Sequence, residues 1–214
     1  MLLFTFEKQL LKSGKKIIIG MDEAGRGPLA GPLAVGVVVF DYDFLEKNQK
    51  LSWWREVNDS KKLSAKKREK LYKYIAKNMS FAVGMVSAKL IDRIGITKAT
   101  EEASKKALRK IKLVPDVLLV DGIRKFITKT NHKQKLFKRG DSRIFSIACA
   151  SIVAKVERDR FMLKCHKKWP KYCFCDNKGY GTARHIKTIQ EVGPCPLHRL
   201  SFAPLSHLVS RQNF

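Results

Sequence analysis

Lys16-Ile17-Ile18-Ile19-Gly20-Met21-Asp22-Glu23-Ala24-Gly25-Arg26-Gly27-Pro28-Leu29-Ala30-Gly31-Pro32-Leu33-Ala34-Val35-Gly36-Val37-Val38-Val39-Phe40 is the stretch on which the architecture turns. Lys16 to Met21 is short, apolar and β-branched, which predicts a buried strand. A turn rich in glycine and proline follows, and Leu33 to Phe40 predicts a second strand paired with the first. Working outward, Ser64 is placed to cap a helix over 65–77, with Leu71 and Ile75 at i,i+4 on its buried side. Phe81 to Val86 predicts a third strand, and Lys98 to Lys112 an amphipathic helix with a wholly basic outer face. After Pro115, Val117 to Val120 is a short continuous strand, Lys133 to Arg139 an edge-like one, and Ser142 to Lys167 a long helix. The order ββαβαβ, then a strand, then helices, predicts an α/β fold in which helices flank a mixed five-stranded sheet.

Composition narrows the partners. Lys and Arg number 44 against 19 Asp and Glu, a formal charge of +25 over 214 residues. Such a surface repels itself unless a polyanion neutralises it, so a nucleic acid is the expected partner, although charge names no reaction. No apolar run approaches the roughly 18 residues of a membrane span. The opening Met1 to Phe6 is too short for a signal segment, and the expected location is the cytoplasm. The five cysteines are an odd number, which argues against a disulfide framework. Cys173 and Cys175 stand as C-x-C without a second pair at zinc-finger spacing.

In so basic a chain the placement of acids is informative. The first strand ends in Asp22 and Glu23, the fourth in Asp121, and the fifth in Asp141. Reactive groups of open α/β sheets gather outside strand ends, and adjacent strands lie about 4.8 Å apart. Carboxylates this close raise each other's pKa unless a cation intervenes. Hard divalent ions suit an all-carboxylate set, Mg²⁺ first and Mn²⁺ as a substitute. Two ions about 3.5–4 Å apart would stabilise the attacking and leaving oxygens of an in-line phosphoryl displacement. Taken singly, Asp22 or Asp121 would more often be a cap or turn former. Asp159 lies about 27 Å along a continuous helix from Asp141, so it is expected to pair with nearby Lys or Arg. Asp116 lies at the wrong end of its strand.

From Asp22 to Pro32 the chain resembles the ribonuclease HII family closely. The resemblance continues through Asn58-Asp59-Ser60-Lys61-Lys62-Leu63-Ser64, Val120-Asp121-Gly122, Ala148 to Arg158, Lys178-Gly179-Tyr180-Gly181-Thr182 and His198-Arg199-Leu200-Ser201-Phe202. It implies a ribonuclease H-like catalytic domain over 1–168 and a helical extension over 169–214 packed on the same unit. It also implies catalytic, metal-binding roles for Asp22, Glu23, Asp121 and Asp141 with two Mg²⁺ or Mn²⁺ ions. The implied reaction cuts the RNA strand of RNA–DNA hybrids, or duplex DNA at a single embedded ribonucleotide, leaving 3′-hydroxyl and 5′-phosphate ends.

By the same resemblance Gly25, Arg26 and Gly27 contact the ribose 2′-hydroxyl. Glycine's lack of Cβ and the 2′-hydroxyl's role in marking RNA agree with this. Asn58, Ser60 and Lys61 look like phosphate and sugar contacts, though a polar loop entering a helix would read the same. Tyr180 matches a tyrosine stacked at the ribo–deoxyribo junction; alone, it would read as a packed loop aromatic. Lysines near Lys66–Lys73, Lys105–Lys112 and Lys133–Lys138 are expected to supply duplex affinity, and the working unit is expected to be a monomer. His198 and Arg199 match a motif read as structural. One departure is Asn177, where the family often has His; Asn cannot titrate near neutral pH.

Overall fold

A computed structural model describes residue 2, residues 4–48 and residues 52–207. The ends of the apolar opening, 1 and 3, and the last part of the extension, 208–214, lie outside the described residues. The glycine-rich turn lets β1 (Ile18–Ala24) fold back antiparallel on β2 (Leu33–Phe40), with Asp22 opposite Gly36. β2 pairs antiparallel with β3 (Phe81–Val86), while β1 pairs parallel with β4 (Val117–Asp121) and β4 parallel with β5 (Gln134–Phe137). The sheet order is β3-β2-β1-β4-β5. Because β1 and β4 run the same way with Met21 opposite Val120, their terminal acids emerge at one edge.

Every residue of β2 is buried, as expected for a strand covered on both faces. On one face Ile18, Val38, Phe40 and Leu119 pack beneath a central helix over Phe145–Lys168. On the other, Ile19, Met21, Val35 and Val37 pack beneath a helix over Ala88–Ile111. Three strand glycines set these distances. A Cβ on Gly20 would lie 2.2 Å from the Ser146 carbonyl carbon, on Gly36 2.3 Å from the Ala150 oxygen, and on Gly84 2.0 Å from the Ala103 oxygen. Backbone cannot rotate away as a side chain can. Gly36→Ala should therefore cost about 1–3 kcal/mol, read as a lower urea midpoint with unchanged slope.

The remaining helices are, in chain order, α1 (Thr5–Lys12), α2 (Tyr42–Asn48) and α3 (Ala65–Asn78), then the two just described as α4 and α5, then α6 (Phe174–Asn177) and α7 (Ala183–Val192). α3 is as expected: Ser64 accepts from the Lys67 N–H, and Leu71 and Ile75 are buried. α1 was not foreseen. It carries Glu7, which is fully buried and accepts the Ser146 N–H at 2.8 Å, capping the N-terminus of α5.

Four expectations are corrected. β1 runs through Asp22 and Glu23 to Ala24 instead of stopping before them, because β2 keeps pairing to Ala34. α4 begins ten residues earlier than predicted and bends at Gly95, whose φ is 78°; the predicted helix is the part after the bend. Its outer face is not wholly basic, since Glu101 and Glu102 lie 2.9 and 3.3 Å from Lys105. In addition, Lys106 and Lys110 turn inward and donate to the Met85 and Val83 carbonyls of β3, at 3.3 and 2.7 Å. α5 starts at Phe145, because Gly140–Ser142 forms a separate 3-10 turn.

The C-terminal segment packs Tyr172, Phe174, Ile189 and Leu205 against Met162 of α5 and against Leu29 and Ala30 of the glycine-rich turn. No helix among the described residues is long and apolar enough to cross a membrane.

Candidate active site

Asp22 is 3% exposed and accepts hydrogen bonds from the Glu23 N–H at 2.7 Å and from the Ser151 hydroxyl. Asp121, at the end of β4, accepts the Gly140 N–H at 2.6 Å, which ties the turn carrying Asp141 to the neighbouring strand. Asp141 is 5% exposed. One carboxylate oxygen from each of Asp22, Asp121 and Asp141 lies within 4.8 Å of the others.

Glu23, the fourth expected acid, stands beside this triad. Its carboxylate faces the Arg26 guanidinium at 3.8 Å and lines, with Arg26, Thr100 and Asp121, a cleft of 270 Å³. Asp121 and Asp141 line a second cleft of 360 Å³ with Asp59, Lys61 and Arg139. Asp121 belongs to both.

Burial and mutual repulsion load these acids. Burial, then the charges of Glu23 and Asp121, push Asp22 well above the carboxylate range. Burial raises Glu23 to about 7; Arg26 opposes the rise and Asp121 adds to it. Asp141 is raised by burial, then by Asp121 and Asp59. Lys61 is raised in spite of its partial burial, because Asp22 and Asp141 favour its charge. Buried oxygen donors that repel one another suit a hard divalent cation, so the residues present fit the expected metal.

The proposed substrate-contact residues divide by location. Gly25 has φ 92° and a Cβ on it would lie 2.1 Å from Arg158 Nε, whereas a Cβ on Gly27 would meet nothing within 4 Å. Arg26 donates to Thr100 at 2.9 Å. The Lys61 side chain is largely exposed, 3.7 Å from Asp141, and its backbone N–H is held by Asp59. Asn58 is half-buried and accepts the Asp59 N–H. Ser60 is 3% exposed, and its hydroxyl lies 2.7 Å from that of Ser151, so it reaches the acids only through Ser151. Tyr180 is 45% exposed, with Lys155 and Arg158 5.7 and 5.9 Å from its ring centre. Asn177 bridges the loop before it, accepting the Gly179 N–H and donating to the Tyr172 carbonyl, each at 2.7 Å. Asp159 pairs with Lys155 at 2.8 Å, and Asp116 binds the N–H groups of Lys16 and Ile17; neither joins the site. The five cysteines are free thiols.

Sequence reasoning did not single out Arg158, and it read Arg199 as structural without its partners. Arg199 is fully buried and donates to the carbonyls of Gly25 (2.7 Å), Arg26 (3.0 Å) and Gly31 (2.9 and 3.1 Å). Arg158, also fully buried, donates to those of Ala30 and Pro32. Together they shape the glycine-rich turn from beneath. The available signal was an arginine amid the apolar positions of α5 and another beside His198.

A mixed sheet of this order, with an acid cluster where its central parallel strands end, defines a ribonuclease H-like nuclease. The ribonuclease HII family model matches residues 19–205. The chain belongs to the ribonuclease HII family. A ribonuclease HII from Caldicellulosiruptor saccharolyticus is 48% identical over 200 residues, covering 93% of this chain and 93% of that protein. One from Syntrophus aciditrophicus is 43% identical over 198 residues, 92% of this chain and 89% of that protein. Among solved structures, the ribonuclease H2 from Pyrococcus horikoshii OT3 is similar with TM-score 0.73 at 26% identity, covering 91% of this chain and 98% of that one. A ribonuclease HII from Archaeoglobus fulgidus, solved in complex with PCNA, gives TM-score 0.69 at 26% identity over 87% of this chain and 95% of that one.

Proposed function

We propose that the chain hydrolyses the RNA strand of RNA–DNA hybrids and nicks duplex DNA at single ribonucleotides, leaving 3′-hydroxyl and 5′-phosphate ends. The observation that carries this is the convergence of Asp22, Asp121 and Asp141 within 4.8 Å. Divalent ions held by Asp22, Glu23, Asp121 and Asp141, two Mg²⁺ or Mn²⁺ in this reading, would supply Lewis-acid charge for in-line displacement at phosphorus. The protein's own groups select and hold the substrate. The open backbone at Gly27, with Gly25 and Arg26, meets the 2′-hydroxyl of the ribose. Arg26, Asn58 and Lys61 hold phosphate and sugar, and the exposed ring of Tyr180 stacks beside the junction.

In this reading residues 1–168 form the catalytic unit and 169–214 an extension, whose described part, through residue 207, holds the glycine-rich turn. The working unit in this reading is a monomer, and the free thiols suit the cytoplasm. Duplex affinity rests mainly on the exposed lysines of α3 and near β5, because Lys106 and Lys110 are bonded to β3.

The test is incubation with a full hybrid, a duplex bearing one ribonucleotide and an all-DNA duplex, with Mg²⁺ and Mn²⁺ in turn. Cleavage of the first two and not the third is expected. Cutting of an all-DNA junction without hybrid cleavage would assign the site to another polynucleotidyl transferase.

A further inference from the structure

Beneath Tyr180 lie two imidazoles that the proposed reaction does not use. His185 of α7 is 1% exposed and His198 is 3% exposed. Their Nε2 atoms are 3.1 Å apart, and the rings of Tyr172 and Phe174 enclose them. His185 Nδ1 lies 2.8 Å from the Tyr180 carbonyl oxygen, and His198 Nδ1 lies 2.9 Å from the Cys195 nitrogen.

These contacts leave one protonation pattern for a neutral pair. A carbonyl only accepts, so His185 carries its proton on Nδ1 and its Nε2 is bare. The opposing His198 Nε2 must then carry a proton, which leaves His198 Nδ1 bare. A bare Nδ1 is what the Cys195 N–H requires. The Cys195 carbonyl, 3.2 Å from that nitrogen, already accepts the His198 N–H at 2.9 Å. Both ends of the chain therefore dictate the same tautomers. Burial favours the neutral forms, lowering His185 and taking His198 to about 4.

We propose that His185 and His198 are positioning residues: a one-way chain of hydrogen bonds from Cys195 N–H through both imidazoles holds the backbone of Tyr180 in register with the glycine-rich turn. The second half of that link is direct. His198 forms a β-bridge with Ala30, and the Arg199 N–H donates to the Leu29 carbonyl at 2.8 Å. The dipeptide His198-Arg199 thus grips the 2′-hydroxyl turn with one side chain and the stacking tyrosine with the other. This rests on the reading that Tyr180 touches the substrate.

Long-range ¹H–¹⁵N correlation on the metal-free protein at pH 7 should show His185 protonated at Nδ1 and His198 at Nε2. Either residue as the opposite tautomer, or as imidazolium, would overturn the chain. On a duplex with one ribonucleotide, His185→Phe should raise KM about tenfold with kcat within about twofold, as loss of a positioning bond does. His198→Phe should behave alike, and His198→Gln, whose amide can still donate to His185, should recover most of the loss. In a Tyr180→Ala background His185→Phe should add nothing; an additive loss there refutes the positioning role. If Tyr180→Ala alone leaves KM unchanged, the substrate role of Tyr180 fails, and with it the purpose of the chain, whatever the tautomers.

Discussion

Asp22→Asn is expected to abolish cleavage and, in chelator, to raise the melting temperature. The loss should be roughly 10³-fold or more, since several kcal/mol of charge stabilisation depends on an intact ion-holding set. The gain in stability follows from the load on Asp22: burial disfavours its charge, and Glu23 and Asp121 add repulsion. Asparagine keeps the shape without that charge, and the Ser151 hydroxyl can rotate to suit it because either partner of the Ser60–Ser151 pair can donate. The pH dependence has a definite sign. A carboxyl whose folded-state pKa is raised binds its proton more tightly when folded, so the ionised form detracts from stability at high pH. The gap between the two proteins should be widest above the folded-state pKa and close toward the ordinary 3.8. Added Mn²⁺ should raise the melting temperature of the wild type far more than that of Asp22→Asn. A less stable Asp22→Asn in chelator would show that the cluster is not under repulsive load.

Arg199→Met should lower stability by about 3–5 kcal/mol, because the buried carbonyls of Gly25 and Gly31 and the part-buried one of Arg26 lose their donor at about 1–3 kcal/mol each. Two effects compete here. Arg199 is itself disfavoured, drawn down to about 9 by burial and then by the Arg158 guanidinium, so removing it relieves a desolvated like-charge pair. Its four hydrogen bonds to Gly25, Arg26 and Gly31 outweigh that relief, since the orphaned Gly25 and Gly31 carbonyls remain buried whichever cation leaves. Arg199→Lys should recover less than half, because a single ammonium cannot span three acceptors as a planar fork does. Urea unfolding measures the loss. A near-neutral Arg199→Met would mean that the turn is held from elsewhere.

How far the sequence could be read depended on how local the physics was. β2 and β3 were read to the residue, since continuous apolar runs bounded by turns carry their own limits. The α3 cap at Ser64 was equally local. α1 went unseen because its role is nonlocal: Glu7 matters by meeting Ser146, far along the chain. The bend at Gly95 hid the first part of α4. For the site, Asp22 and Asp121 close adjacent strands as read, whereas Asp141 stands in the 3-10 turn after β5, which already ends at Phe137; the three still meet. Glu23 differs because strand alternation sends it to the face opposite Asp22, where Arg26 receives it. Of the supporting residues, Arg199 was legible as structural but without its partners, and Ser151 and Arg158 were not singled out, since nothing in a linear pattern says which carbonyls a buried guanidinium will find.

The inward-turned lysines of α4 bear on how this chain behaves in a crowded solution. β3 borders the sheet, and a bare border strand invites a second copy to add its own backbone. Lys106 and Lys110 occupy the Met85 and Val83 carbonyls that such a copy would need. Replacing both with Met would remove these donors and uncover an adhesive ladder, so Lys106→Met/Lys110→Met should self-associate at concentrations where the wild type stays dispersed.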